Sequence, residues 1–186
     1  MDYLSQYDQE TYIFETVRRR FADQGFLNAY DFFCIIIWKA NRAKTKIAQR
    51  LLKINKFDTL DDAVKALSKG IITASEHKER LHYLLNDWGF QLPMATAILT
   101  ALYPDYFTVY DVRVCDELQD FHNLKNMVNF ENIWTGFLAY KQQVELAASE
   151  GLSLRDKDRY LWGRSFSRQL ENDIRKRFSK GDKDNE

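Results

Sequence analysis

Apolar residues recur at three- and four-residue intervals along most of this chain, the period of helices rather than of strands. From Gln9 to Gln24 the spacing is set by Tyr12, Ile13, Thr16, Val17 and Arg20, and Gly25 stops it. Asn28 caps a second helix, Ala29 to Lys39, which is apolar nearly all round through Phe32-Phe33-Cys34-Ile35-Ile36-Ile37-Trp38. Such a segment is expected to be enclosed by the rest of its domain, with Cys34 in the core. Its β-branched content also suits a buried strand, but no partner strand is offered elsewhere, which favours helix. A polar corner, Lys39 to Lys44, leads into a third helix from Thr45 to Ile54.

Thr59 caps a fourth helix, predicted to end at Gly70. A fifth runs from Ala74 to Trp88 with Leu81, Leu84, Leu85 and Trp88 inward, until Gly89 breaks it. Pro93 suits the first turn of a sixth, where its missing N–H costs nothing. There Met94, Ile98 and Leu102 face the core, and Ala95, Ala97 and Ala101 allow close approach to a neighbour or a phosphate. Pro104 and Asp105 end it, and a short helix follows Asp111. Beyond a polar stretch, His122 to Asn129, a long helix spans Phe130 to Ser149 and stops at Gly151. Ser153 and Asp156 form a capping box with Asp in place of Glu, opening a last helix from Leu154 to Phe178. Trp162, Phe166, Leu170 and Ile174 recur on it every four residues. The charged tail Ser179 to Glu186 is expected to fray. With no repeat or low-complexity linker, the prediction is an all-α protein with a single helical domain over 1–178, which leaves room for two lobes.

Composition agrees: only 2 prolines and 7 glycines interrupt 186 residues that are 45% hydrophobic, enough for a sizeable core. No apolar run reaches the length of a membrane span, and the N-terminus is acidic and polar, unlike a signal peptide. A cytoplasmic, monomeric protein with no membrane partner is the expectation. Cys34 and Cys115 are too few for an iron–sulfur cluster. His77, His82 and His122 lack metal-ligand spacing, so no metal and no organic cofactor are expected.

The formal net charge is zero, which speaks against nucleic-acid binding by bulk electrostatics. Distribution changes that. From Phe32 to Phe57 there is no acidic residue, yet Lys39, Arg42, Lys44, Lys46, Arg50, Lys53 and Lys56 all occur. Such a run is the footprint of a phosphate-contacting face, or else a solvated helix surface.

Gly89-Phe90-Gln91-Leu92-Pro93-Met94-Ala95-Thr96-Ala97-Ile98-Leu99, followed by Thr108-Val109-Tyr110-Asp111-Val112-Arg113-Val114, resembles the signature of the helix-hairpin-helix base-excision DNA glycosylases, the superfamily of endonuclease III and 8-oxoguanine glycosylase. In that family a glycine hairpin at the position of 88–93 opens a small-residue helix, and a catalytic aspartate follows it, here Asp111. The resemblance implies double-stranded DNA as partner. It further implies phosphate contacts from the hairpin at Gly89 and Gln91, from Arg113, and from the corner and basic helix at Lys39, Asn41, Arg42, Lys44 and Lys46. Asn41 and Arg42 stand where relatives carry a polar side chain that fills the hole left by an extruded base. Trp38, Tyr110, Trp162 and Phe166 come from the elements that border the base pocket in relatives. The chain departs from the family in two places. Gln91 replaces the second hairpin glycine, and Pro93 aligns with the Schiff-base lysine of the lyase-competent members. A proline has no amine, so the implied chemistry is monofunctional hydrolysis, with the 8-oxoguanine branch the nearest analogy.

Each feature has a plainer reading. Asp111 caps the helix after it as well as standing ready to stabilise an oxocarbenium-like sugar, and the two roles are compatible. Gly89 serves as an ordinary C-cap, Arg113 pairs with Asp116 or Glu117, and the aromatics pack in the core. The enzyme therefore stands beside a catalytically inactive DNA-binding protein of the same fold, and beside a helical protein-interaction module.

Overall fold

The helical periods are realised as helices, and among the described residues there is no strand. The computed structural model describes residues 3–54 and 56–176. The predicted tail Ser179–Glu186 and the last two residues of the predicted final helix lie outside the described residues. The helices are α1 (Tyr3–Tyr7), α2 (9–24), α3 (Ala29–Ala40), α4 (Lys44–Ile54), α5 (Leu60–Thr73), α6 (77–87), α7 (Leu92–Leu102), α8 (Val112–Leu118), α9 (Phe130–Ala147) and α10 (Leu154–Lys176). They fall into two compact units, Met1–Val109 and Tyr110–Glu186. The boundary lies inside the Thr108–Asp111 segment, which is neither rich in proline or glycine nor polar, the usual marks of a linker.

Local end signals work as their chemistry requires. Asn28 accepts the Asp31 N–H at 2.7 Å, Thr59 Oγ1 the Asp62 N–H at 3.1 Å, and Ser153 Oγ the Asp156 N–H at 3.1 Å. The Ser153 hydroxyl also donates to Asp156 at 2.7 Å, and that bond holds the Asp156 carboxyl below its ordinary range. Gly25 ends α2 at a φ of 73°, with its N–H on the Phe21 carbonyl.

In the first unit α7 is the centre. α2, α3 and α6 all pack against it, and α5 lies on α3, α4 and α6. Apart from Pro93 every residue of α7 is buried, so the expected inner stripe of Met94, Ile98 and Leu102 is only part of the enclosed surface. Thr96 and Thr100 tolerate this because their hydroxyls donate to the Leu92 and Thr96 carbonyls at 2.8 and 2.7 Å. Truncating Leu99 to alanine here costs about 2–5 kcal/mol.

Four expectations change. α5 does not end at Gly70 but runs to Thr73, because Gly70 is a packing residue: a Cβ there would lie 2.1 Å from the Tyr83 hydroxyl. α6 begins at His77, where Glu76 and Glu79 form a capping box, and its final turn, Tyr83–Asp87, is wound as a π-helix. α2 carries a π-type turn at Tyr12–Val17 and is preceded by the unforeseen α1. Cys34 is only half-buried, because α3 turns Phe32, Ile35 and Ile36 fully inward and leaves Phe33, Cys34, Ile37 and Trp38 part-covered.

Asp31 is a buried carboxylate at 1% exposure, fed by Tyr12 Oη at 2.6 Å and Arg20 Nη1 at 3.1 Å. Burial, then the bond to Asp31, pushes the Tyr12 hydroxyl up to about 12. This cluster ties α2 to α3, and nothing in the hydrophobic pattern announced it.

In the second unit α8 packs on both α9 and α10. Glu117 of α8, almost fully covered, receives Arg164 Nε and, at 3.0 Å, Arg168 Nη1 from α10. Gly136 of α9 makes room for Leu124, which a Cβ would meet at 2.6 Å.

Candidate nucleic-acid interface

Gly89 closes α6 in the left-handed conformation, φ 63°, and the Phe90 N–H turns back to the Leu84 carbonyl at 2.9 Å. Gly89 is therefore the left-handed residue that ends α6, one past its C-cap Trp88. Gln91 lies in extended backbone, φ −78° and ψ 152°, so no left-handed residue is needed where the second family glycine would stand. It caps α7 with no side-chain bond, and its carbonyl accepts the Met94 and Ala95 N–H groups. Pro93 in the first turn also removes one N–H from this helix start, which leaves Gln91 and Leu92 to present the donors.

The basic run is spread over the end of α3, a short 3₁₀ turn at Asn41–Ala43, and α4. Asn41, Arg42, Lys44 and Lys46 are exposed, while Trp38 and Lys39 are half-buried. Lys44 Nζ donates to Asn41 Oδ1 at 2.8 Å, and the Trp38 ring meets Phe14 edge-on at 5.5 Å. Trp38 thus has a packing role within its own unit. Ile47 and Leu51 form the buried side of α4, which turns the cationic side chains outward.

Sequence reasoning missed the placement of Arg50. Its Nη1 donates to the Gly89 carbonyl, and its guanidinium lies 5.8 Å from the centre of the Phe90 ring. The run of cations gave the charge, but no local signal tells that this one folds back on the hairpin 39 residues along the chain.

Asp111 belongs to the second unit. It caps α8, with Oδ1 accepting the Arg113 N–H at 3.0 Å, and its side chain is half-buried. The hydroxyl of the fully buried Tyr140 bonds to the Asp111 backbone, and burial holds that phenol well above its ordinary range. Arg113 does not pair with Asp116 or Glu117. Its guanidinium lies 5.3 Å from the Trp162 ring centre and 5.5 Å from that of Phe166, and Nη1 donates to Gln169 Oε1 at 2.7 Å. Trp162 and Phe166 are parallel to within 6°, with centroids 5.6 Å apart, and stay 43% and 45% exposed. Leu170 and Ile174 continue this exposed stripe.

Tyr110 is different. It is 2% exposed, its hydroxyl donates to the Phe121 carbonyl at 2.7 Å, and its ring packs on Tyr140 at 5.3 Å. It sits in the core of the second unit, because an aromatic preceding an N-cap here is needed for packing. Cys115 is buried beside it, and burial pushes its thiol up to about 11, far from the thiolate a nucleophile needs.

Five of the predicted residues thus lie together at the corner and basic helix, two at the hairpin, and Asp111, Arg113, Trp162 and Phe166 on α8 and α10. The first two groups share a unit and are joined by Arg50. Chemically, they offer exposed cations and uncapped backbone donors; the third offers a half-buried carboxylate, a cation and flat apolar faces. Among the described residues no group of three His, Cys, Asp or Glu side chains could hold a metal ion, and no helix is long and apolar enough to cross a membrane. No known family model, curated protein or solved structure matches the chain.

Proposed function

We propose that this chain binds double-stranded DNA through the hairpin and basic helix of its first unit and excises a damaged or modified base as a monofunctional glycosylase of the helix-hairpin-helix type. The observation that carries the reading is the Arg113 guanidinium lying over the Trp162 and Phe166 rings of α10, while the Arg113 N–H is held by the Asp111 carboxylate. Lengthening of the bond between base and sugar builds positive charge on the sugar, and the Asp111 carboxylate stabilises it and orients the attacking water. The parallel aromatic faces suit a base taken out of the stack. Lys44, Lys46 and Arg42 supply the phosphate contacts, with the backbone donors at the start of α7.

The inactive DNA-binding protein is the second reading. It draws on Asp111 already spending an oxygen on the Arg113 N–H, and on Pro93 where a lysine would stand. One experiment separates the two: duplexes each carrying one modified base are incubated with the protein, then treated with alkali to cut at abasic sites. Strand cuts that need alkali, with no borohydride-trapped complex, are expected for at least one duplex. Tight duplex binding without any cut favours the inactive reading, and no binding at low salt favours a protein-interaction module.

A further inference from the structure

We infer that Arg50 is a positioning residue of the hairpin rather than one of the phosphate contacts of the basic run, an inference that rests on the proposed binding of duplex DNA. Lys44, Lys46 and Arg42 are exposed, and among the described residues Lys44 bonds only to the neighbouring Asn41 side chain. Arg50, half-buried on the same helix, directs Nη1 to the Gly89 carbonyl and lays its guanidinium near the face of Phe90. Gly89 is where the chain takes its one left-handed step between α6 and α7, so the direction of its carbonyl sets how the turn enters α7. Phe90 itself is buried, with its N–H bonded to Leu84. Arg50 therefore fixes the turn from both sides of one peptide unit: it donates a hydrogen bond to the outward Gly89 carbonyl and backs the inward Phe90 ring as a cation. The arginine does not itself require glycine here, since a Cβ built on Gly89 would be 3.9 Å from Arg50 Nη1, an ordinary contact. Side-chain bulk at Gly89 is thus excluded by its φ, not by the arginine. A basic side chain that is spent inside the protein in this way contributes little counterion release, yet its loss blurs the orientation of the donors at Gln91 and Leu92.

The two roles differ in what salt does to them. Duplex binding of wild type, Arg50→Met, Arg50→Ala and Lys46→Ala is measured over a series of salt concentrations, and amide hydrogen exchange is followed at Phe90. Arg50→Met keeps the aliphatic stem and removes the donors, which guards against loss of folding in the alanine variant. Arg50→Met should weaken binding by a similar factor at every salt concentration, with a log–log slope parallel to wild type. Its Phe90 amide should exchange about 2- to 12-fold faster, the range that one net hydrogen bond confers. Lys46→Ala should instead flatten the slope by about 0.9 and leave Phe90 unchanged. A slope flattened as in Lys46→Ala, or a Phe90 amide that exchanges at the wild-type rate in Arg50→Met, overturns the inference. Should wild type bind no duplex, the functional reading falls, while exchange at Phe90 still decides whether Arg50 holds the turn.

Discussion

The starts of α7 and α8 are opposite solutions to the same problem. Each leaves backbone N–H groups unpaired by the helix itself and carries the positive end of the dipole. At α8 the chain supplies its own anion: Asp111 Oδ1 takes the Arg113 N–H. At α7 it supplies none, since Gln91 makes no side-chain cap bond and Pro93 withholds a donor. A bare start next to a cationic helix suits an anion from outside, whereas a start with a resident carboxylate suits a developing cation. The difference lies in one side chain at each N-cap, and the proposed function gives the two ends different tasks.

The largest expected effect comes from the surroundings of the bare end. Replacing Arg42, Lys44 and Lys46 together by Glu should abolish measurable duplex binding near physiological salt. At low salt the slope of log affinity against log salt should fall by about 2 to 3, from about 0.9 for each phosphate contact removed. A slope equal to wild type in a binding titration makes that face ordinary solvated surface. Arg50 is left out of this set because its change would also disturb the hairpin.

A smaller effect tests the capped end. Asp111→Ala should lower stability in urea unfolding by about 0.5 to 2 kcal/mol, whereas Asp111→Asn should keep most of it, because asparagine caps as well apart from the dipole contribution. Equal loss in both variants would mean that charge rather than capping holds α8 in place.

The smallest effect converts one end into the other. Gln91→Asp should add a cap to α7 and stabilise the protein by about 1 kcal/mol, while weakening duplex binding because a carboxylate now occupies the donors. Stabilisation with unchanged DNA affinity would remove the start of α7 from the interface.

How much of this was legible in the chain depends on the range of the signal. Asn28, Thr59, Ser153 and Gly25 act within four residues of themselves, and each does what its chemistry predicts. Gly89 could be read as the residue that ends its helix for the same reason. Gly70 misled because its role is set by Tyr83 on the next helix, not by its own backbone preference. α7 looked one-sided because threonine and alanine count weakly as apolar, yet the threonines satisfy their hydroxyls on their own helix and can be buried all round. Asp31 carries no local mark of burial, and only the fold brings Tyr12 and Arg20 to it. At the candidate site, Arg113, Trp162 and Phe166 were chosen separately and meet, whereas Tyr110 was chosen beside them and is core. Aromatic character does not say which side of a packed layer a ring will take.

The most direct test of the account is base excision by Asp111→Asn, on whichever modified duplex wild type cuts. Asparagine retains the cap to the Arg113 N–H and removes the negative charge needed opposite the sugar cation. The account predicts a folded protein with wild-type duplex affinity and no alkali-revealed cuts above background. Excision that survives in this variant would contradict it and leave Asp111 as the cap of α8 alone.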